Sequence, residues 1–274
     1  MPDRAAAEVV SGSTPAWRSR RLTVRLVFGL ALRQTEGFLG SLFELLCLDL
    51  PVPDHTTLSR RAKTLGRLPL HADVGSRPIH LMVDSTGLKV HSGKLRHPPK
   101  NRAWRKLHIA VDAETGEVVS VELTANRAHD SVLVPRLLQH VDRGLASFSA
   151  DGAYDTEAVY ESVAAHAQRR GRAMPRVLIP PRLRAQITED PAAGMRQRNR
   201  NVRSIRRQGR QGWHTDSGYS RRSLVENTMF RYKAIVGSAM RARSLSGQRV
   251  EARLGCRILN TMARLGTPDS QLVE

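Results

Sequence analysis

The spacing of apolar residues divides the chain into a helical region and an α/β region. Between residues 20 and 50, apolar positions recur every three or four residues, which predicts two helices. Pro51 and Pro53 end the second helix, and a short basic helix follows over residues 58–65. Three helices of this kind suit a helix-turn-helix DNA-binding unit and a plain helical subdomain equally well.

From residue 79 onward the apolar period is that of strands. The apolar run 79–83 ends at Asp84, and alternating apolar residues on both sides of the turn 112–116 predict a hairpin. Helices are then predicted at about 131–141 and 156–169, and strands at about 146–150 and 176–181. This order predicts an α/β fold with a mixed sheet flanked by helices.

The pattern predicts three regions and one long loop. Residues 1–19 mix small residues, Gly and Pro without a period and are predicted to form a loose arm. The helical region covers 20–70, and the α/β domain covers 76–270. Inside that domain, 182–218 is predicted to be an Arg-rich loop, because residues 196–210 contain seven Arg and no acid. We expect this loop to contact phosphate.

Charge and composition favour a nucleic-acid partner. The 274 residues contain 44 Lys and Arg against 25 Asp and Glu, a formal net charge of +19, which predicts a polyanionic partner. No apolar stretch approaches the roughly 20 residues that a membrane helix needs, and no secretory signal is visible. The only cysteines are Cys47 and Cys256, which excludes a disulfide framework and a cysteine zinc site. We therefore expect a soluble protein of a reducing compartment, without a membrane partner.

Two aspartates follow predicted strands. Asp84 and Asp151 each come directly after an apolar strand, and open sheets place ligand sites beyond the ends of their strands. For either residue alone, a turn cap is an equally good explanation. Asp112 and Asp155 compete with Asp151 as a second site residue, but a turn and a helix cap explain them.

A third carboxylate lies in a predicted helix. Tyr219, Arg222, Glu226 and Lys233 are separated by 3, 4 and 7 positions. At about 100° per residue they form a stripe about 60° wide. An exposed Arg222–Glu226 pair is the simplest explanation, at about 0.2–0.5 kcal/mol, but it leaves Tyr219 and Lys233 unexplained. Two Asp and one Glu offer the oxygen ligands that Mg²⁺ and Mn²⁺ prefer, and two such ions can promote phosphodiester cleavage.

These motifs resemble those of the DDE transposases of bacterial insertion sequences, in particular the group named after insertion sequence five. The signature of that group is Tyr, two residues, Arg, three residues, Glu, six residues, Lys. The chain matches it in full at Tyr219, Arg222, Glu226 and Lys233. The segment VDSTGLKV with Asp84 is similar to the first acidic block, and SADGAYDT with Asp151 is similar to the second. The similarity extends over about residues 22–270.

The resemblance implies a ribonuclease-H-like catalytic core behind a small helical DNA-binding region, with two Mg²⁺ ions that Mn²⁺ can replace. The catalytic and metal-binding residues would be Asp84, Asp151 and Glu226. The DNA-binding residues would be Tyr219, Arg222 and Lys233. The reaction would be hydrolysis that frees a 3′-hydroxyl, followed by attack of that hydroxyl on target DNA. The partners would be the terminal inverted repeats, the target duplex and a second copy of the chain, in the bacterial cytoplasm at the nucleoid.

Two departures from the family predict a truncated copy. The chain has less sequence ahead of its first helix than family members have, and the stretch 89–104 is shorter than usual. The alternative function is therefore a catalytically inactive DNA-binding relic of a transposase, which would bind DNA without cutting it. An Arg-rich RNA-binding protein would match the charge but leave the placement of the carboxylates unexplained.

Overall fold

A six-stranded mixed sheet lies at the centre of the protein, in a computed structural model that describes residues 15–62, 69–70, 77–90 and 104–266. The strands are β1 (Ile79–Val90), β2 (Trp104–Asp112), β3 (Val118–Ala125), β4 (Leu145–Ser149), β5 (Arg176–Leu178) and β6 (Ala239–Met240). The helices are α1 (Pro15–Val27), α2 (Leu32–Leu45), α3 (His55–Ala62), α4 (Val134–Gln139), α5 (Glu157–Arg169), α6 (Ala193–Ser217), α7 (Ser223–Ile235) and α8 (Leu245–Arg264). Among these described helices, none combines the length and the apolar composition needed to cross a membrane.

The strand order is β3-β2-β1-β4-β5, with β6 paired to the end of β1. The pairs β1–β2 and β2–β3 are antiparallel, and the pairs β1–β4 and β4–β5 are parallel. The strands β2 and β3 form the predicted hairpin, whose turn contains Gly116 at a φ of +68°. The predicted fold class is confirmed as an α/β fold with a mixed sheet flanked by helices.

The two faces of the sheet carry separate apolar cores. Along β1, Met82 and Leu88 belong to one core, and Leu81 and Val83 belong to the other. The helices α1, α7 and α8 cover the first face, and α4 and α5 cover the second. Because side chains alternate along a strand, Asp84 lies on the same face as Met82, below α7 and α8.

The amino-terminal region contains three helices, as predicted. The helix α1 begins at Pro15, so the predicted arm 1–19 is wrong from that residue on; residues 1–14 lie outside the described part. Proline fits this position because the first turn of a helix has no partner for a backbone N–H. Leu22 and Leu26 of α1 pack into the core of the sheet, and DNA binding by these helices stays a prediction. Residues 91–103, in the stretch expected to be short, also lie outside the described part.

The prediction of an Arg-rich loop over residues 182–218 is wrong for most of these residues, because α6 spans Ala193–Ser217. Gly209, at a φ of 76°, interrupts the helix eight residues before its last residue, Ser217. Arg and Gln are good helix formers, and Met195 and Val202 are buried seven residues apart on one side of α6. The loop itself covers only the residues between β5 and α6.

Candidate active site

Asp84 in β1 and Asp151, just beyond the end of β4, lie at the same level of two neighbouring parallel strands. Met82 of β1 pairs with Ser149 of β4, and each aspartate comes two residues later. Neighbouring strands lie about 4.8 Å apart, so this register brings the two side chains close together. The prediction that β1 ends at Asp84 is wrong, because the strand stays paired with β2 and continues to Val90. Asp84 marks the end of the β1–β4 pairing instead.

Asp151 also caps the turn that follows β4. Its Oδ1 accepts a hydrogen bond of 2.8 Å from the backbone N–H of Ala153, in the 3₁₀-helix Gly152–Tyr154. The cap that the sequence left as an alternative is therefore present. It uses one of the two carboxylate oxygens, and it fixes the orientation of the carboxyl group beside β1.

Arg222 connects the other two candidate carboxylates. Its Nη1 donates a hydrogen bond of 3.0 Å to Asp84 Oδ2, and its Nη2 donates one to Glu226 Oε1. The centroid of the Tyr219 ring lies 5.9 Å from the guanidinium carbon of Arg222. A carboxylate from β1 and a carboxylate from α7 thus share one cation.

Arg222 does not belong to the α-helix that carries Glu226, contrary to the prediction, and Tyr219 lies outside that helix as well. They form the 3₁₀-helix Tyr219–Arg222, which follows Gly218 in a left-handed conformation (φ 71°), and α7 begins after it. Glu226 lies in the first turn of α7, and Lys233 lies in the last. Seven residues correspond to about 10 Å along the helix axis. The structure therefore brings Tyr219, Arg222 and Glu226 together and places Lys233 farther along the same helix.

Burial and neighbouring charges shift the protonation of these groups. Burial raises the pKa of Asp84 above its ordinary value; the backbone N–H of Ser85 and the Arg222 guanidinium oppose that rise, and Asp151 adds to it. Burial works against the charge of Arg222, yet the phenol and the three carboxylates around it raise the pKa of its guanidinium. The site as a whole therefore favours a bound cation.

The donor set matches the chemistry of a divalent ion. Asp84, Asp151 and Glu226 offer the hard oxygen ligands that Mg²⁺ and Mn²⁺ prefer. In the described part of the chain, no three His, Cys, Asp or Glu side chains are arranged to hold an ion as they stand. Two of the three carboxylates already bind a cation, which is the Arg222 guanidinium. Displacement of this arginine leaves the same oxygens for a metal ion.

A recess of about 140 Å³ opens beside Arg222 on the face of the sheet that carries Asp84. Basic and hydroxyl side chains contribute to its lining, among them His80, Ser147, Arg176 and Arg221. His80 Nδ1 and Ser147 Oγ form a hydrogen bond of 2.8 Å across it. Side chains of these types suit the oxygens of a phosphate group.

One buried ion pair near the site was missed by sequence reasoning. The sequence predicts that Asp155 caps a helix, but the cap is Thr156. The side chain of Asp155 is completely buried, and Arg198 of α6 binds both of its oxygens, at 2.9 and 3.3 Å. The sequence contained an indication of this pair, because Arg198 shares the helical period of Met195 and Val202 and therefore lies on the inward side of α6.

Comparison with known proteins identifies the family. A model described as "Transposase DDE domain" matches residues 75–261, and a second with the same description matches residues 15–93. The chain is also similar to a solved structure described as "Crystal structure of the Mos1 Strand Transfer Complex". That match has 12% identity, covers 94% of this chain and 80% of the other, and has a TM-score of 0.25, which is too low to align single residues. DDE transposases generally depend on divalent metal ions. The first family model spans more than half of the sequence, and the protein therefore belongs to the DDE transposases, enzymes that cleave DNA and transfer its strands in transposition.

Proposed function

We propose that the protein moves an insertion sequence of the group named after insertion sequence five, with Asp84, Asp151 and Glu226 as its catalytic carboxylates. The observation that supports this assignment is the bridge from Arg222 to Asp84 and Glu226, which joins residues from distant parts of the chain. The register that places Asp151 beside Asp84 adds the third carboxylate. The complete four-residue signature that ends at Lys233 supports the group.

Two Mg²⁺ ions, or Mn²⁺ in their place, would be held by the three carboxylates. Bound ions of this kind supply the charge that activates a water or a hydroxyl and stabilises the leaving oxygen. The backbone of each of these residues lies in regular structure or at its end, since Asp84 lies within a paired strand, Asp151 caps a 3₁₀-helix and Glu226 lies in the first turn of α7. Once Arg222 leaves the carboxylates, its planar fork is free to bind two oxygens of a phosphate.

Tyr219, Arg222 and Lys233 would bind DNA at the terminal inverted repeat. Lys233 lies on the same side of α7 as Glu226 and about 10 Å farther along the axis, so a DNA strand that follows the helix can contact both ends of the signature. A homodimer would hold the two ends of the element together with the target duplex. Transposition would take place in the bacterial cytoplasm, at the nucleoid.

The test separates binding from cleavage. Duplexes from the chromosomal flanks of the gene, which carry the ends of the element, are incubated with wild-type protein and with Asp84→Asn in Mg²⁺. We expect Asp84→Asn to bind these duplexes and to cut them at least about 100-fold more slowly. Asp142→Asn is the control, because Asp142 is an exposed carboxylate that pairs with Arg170. It should cut at the rate of the wild type.

Two outcomes would contradict the proposal. Cleavage by Asp84→Asn at the wild-type rate would show that this carboxylate does not hold the metal. Wild-type protein that binds the flanking duplexes but cuts none of them in Mg²⁺ or Mn²⁺ would be the inactive DNA-binding relic. Binding alone does not separate an active transposase from an inactive relic, because the net charge of +19 predicts salt-dependent DNA binding for either function.

A further inference from the structure

Four arginines form a stripe along the outer side of α6. At about 100° per residue, Arg196, Arg200, Arg203 and Arg207 lie within a sector of about 60°, and all four side chains are exposed. The stripe is about 16 Å long and lies ahead of the break at Gly209. We call these four residues the α6 arginine stripe.

The opposite side of α6 is fixed to the body of the protein. Met195 and Val202 are buried, and Asn201 Nδ2 donates a hydrogen bond of 2.8 Å to the carbonyl of Val177 on β5. Arg198 on this side forms the buried ion pair with Asp155. These contacts prevent rotation of the helix, so the α6 arginine stripe faces outward in the folded protein.

No carboxylate in the described part of the chain forms an ion pair with the α6 arginine stripe. Among the described residues, Arg198 is the arginine of α6 that pairs with a carboxylate, and it does not belong to the stripe. Arg196 donates instead to the carbonyl of Pro191, at 3.3 Å. Like charges three or four residues apart destabilise a helix by about 0.2–0.5 kcal/mol per pair. The stripe thus carries a stability cost in the free protein that a bound polyanion relieves.

We propose that the α6 arginine stripe binds the phosphate backbone of duplex DNA and guides the duplex toward the carboxylate site. The proposal rests on the proposed function, because it takes the substrate duplex as the ligand. Arginine presents a planar fork that matches phosphate oxygens, and a row of such contacts positions DNA without reading its sequence. The end of α6 leads into the site, where Trp213 packs against Tyr219 with ring centroids 5.3 Å apart.

The test measures how DNA affinity depends on salt. The variant carries Arg200→Gln, Arg203→Gln and Arg207→Gln. Each lost phosphate contact lowers the slope of log K against log salt by about 0.9, so we expect a slope smaller by about 2.7. The same relation predicts a loss of affinity of about 100-fold at about 0.15 M salt. The loss should be equal for the flanking duplex and for an unrelated duplex of the same length.

A matched control removes the same charge from another exposed surface. The control variant carries Arg136→Gln in α4, Arg169→Gln at the end of α5 and Arg172→Gln just after α5. It should keep the wild-type slope within about 0.5. The control variant should unfold at the wild-type urea midpoint, because its three side chains are exposed. The stripe variant should unfold at that midpoint or slightly above it, because its like-charge pairs are removed. A midpoint that does not fall makes the difference in slope a property of the surface rather than of folding.

Each other outcome overturns the proposal. A stripe variant with the same slope as the control variant would show that α6 does not contact the backbone. A loss confined to the flanking duplex would show sequence readout, and a loss confined to duplex RNA of the same sequence would assign the stripe to RNA. Failure of the proposed function gives a different result. In that case Asp84→Asn still cuts DNA while the stripe variant still loses its slope.

Discussion

The bridge from Arg222 to two carboxylates predicts that this arginine competes with metal ions for the same oxygens. The bond to Asp84 joins side chains that are 19% and 16% exposed, and a charged hydrogen bond of this kind contributes about 1.5–3 kcal/mol. The bond to Glu226, which is 54% exposed, adds only about 0.3–0.5 kcal/mol. An ion that displaces Arg222 must therefore overcome about 2–3 kcal/mol. Since 1.4 kcal/mol corresponds to a factor of ten, Arg222→Gln should tighten Mn²⁺ binding by about 30- to 150-fold.

Electron paramagnetic resonance of free Mn²⁺ measures this affinity without DNA and without turnover. The titration is run for both proteins in the same buffer, at the same pH and salt concentration. Arg221→Gln is the control, because it removes an equal charge from the same 3₁₀-helix. We expect less than about a fivefold change for the control, since separated and exposed charges interact weakly in salt. Equal or weaker Mn²⁺ binding by Arg222→Gln would refute the competition.

Three further predictions concern stability, measured by urea unfolding. Gly194→Ala places a Cβ 2.5 Å from a backbone oxygen of α5 and should lower the free energy of unfolding by about 2–3 kcal/mol. Gly40→Ala, in open space on α2, is the control and should raise it by about 0.5–1 kcal/mol. Equal effects of the two substitutions would contradict the packing of α6 on α5. Burial lowers the pKa of His108 from 6.5 to about 4, so the folded state resists the proton that the unfolded state accepts. Stability should therefore fall by up to about 3 kcal/mol from pH 6.5 to about pH 4, and His108→Gln should flatten that profile; a flat wild-type profile would contradict it. Asp155→Ala leaves Arg198 buried without its partner and should cost about 3–5 kcal/mol, so a loss below about 1 kcal/mol would refute the buried pair.

Local patterns predicted most of the elements. The β2–β3 hairpin, α2 and α5 follow from apolar periods that reflect only neighbouring residues. The extension of β1 beyond Asp84 depends on pairing with β2, which lies some 20 residues later in the chain, and no local pattern contains that information. The helix α6 was missed for another reason. Its arginines suggested a solvated loop, although the buried positions Met195 and Val202 already had helical spacing.

The candidate site was partly predictable from the sequence. The four-residue spacing between Arg222 and Glu226 places them in contact even across the change from 3₁₀-helix to α-helix. The contact between Arg222 and Asp84 spans 138 residues and arises from the packing of α7 on the face of β1, so spacing alone cannot predict it. The same holds for Asp155 and Arg198, which are 43 residues apart.

The central claim is that Asp84, Asp151 and Glu226 form one metal site. Anomalous scattering from crystals of the protein soaked in Mn²⁺ measures it most directly. We predict two Mn²⁺ peaks about 3.5–4 Å apart, ligated by these three carboxylates, with the Arg222 guanidinium displaced from Asp84. Saturating Mn²⁺ that leaves Arg222 bonded to Asp84 and Glu226, with no peak at their oxygens, would contradict the claim.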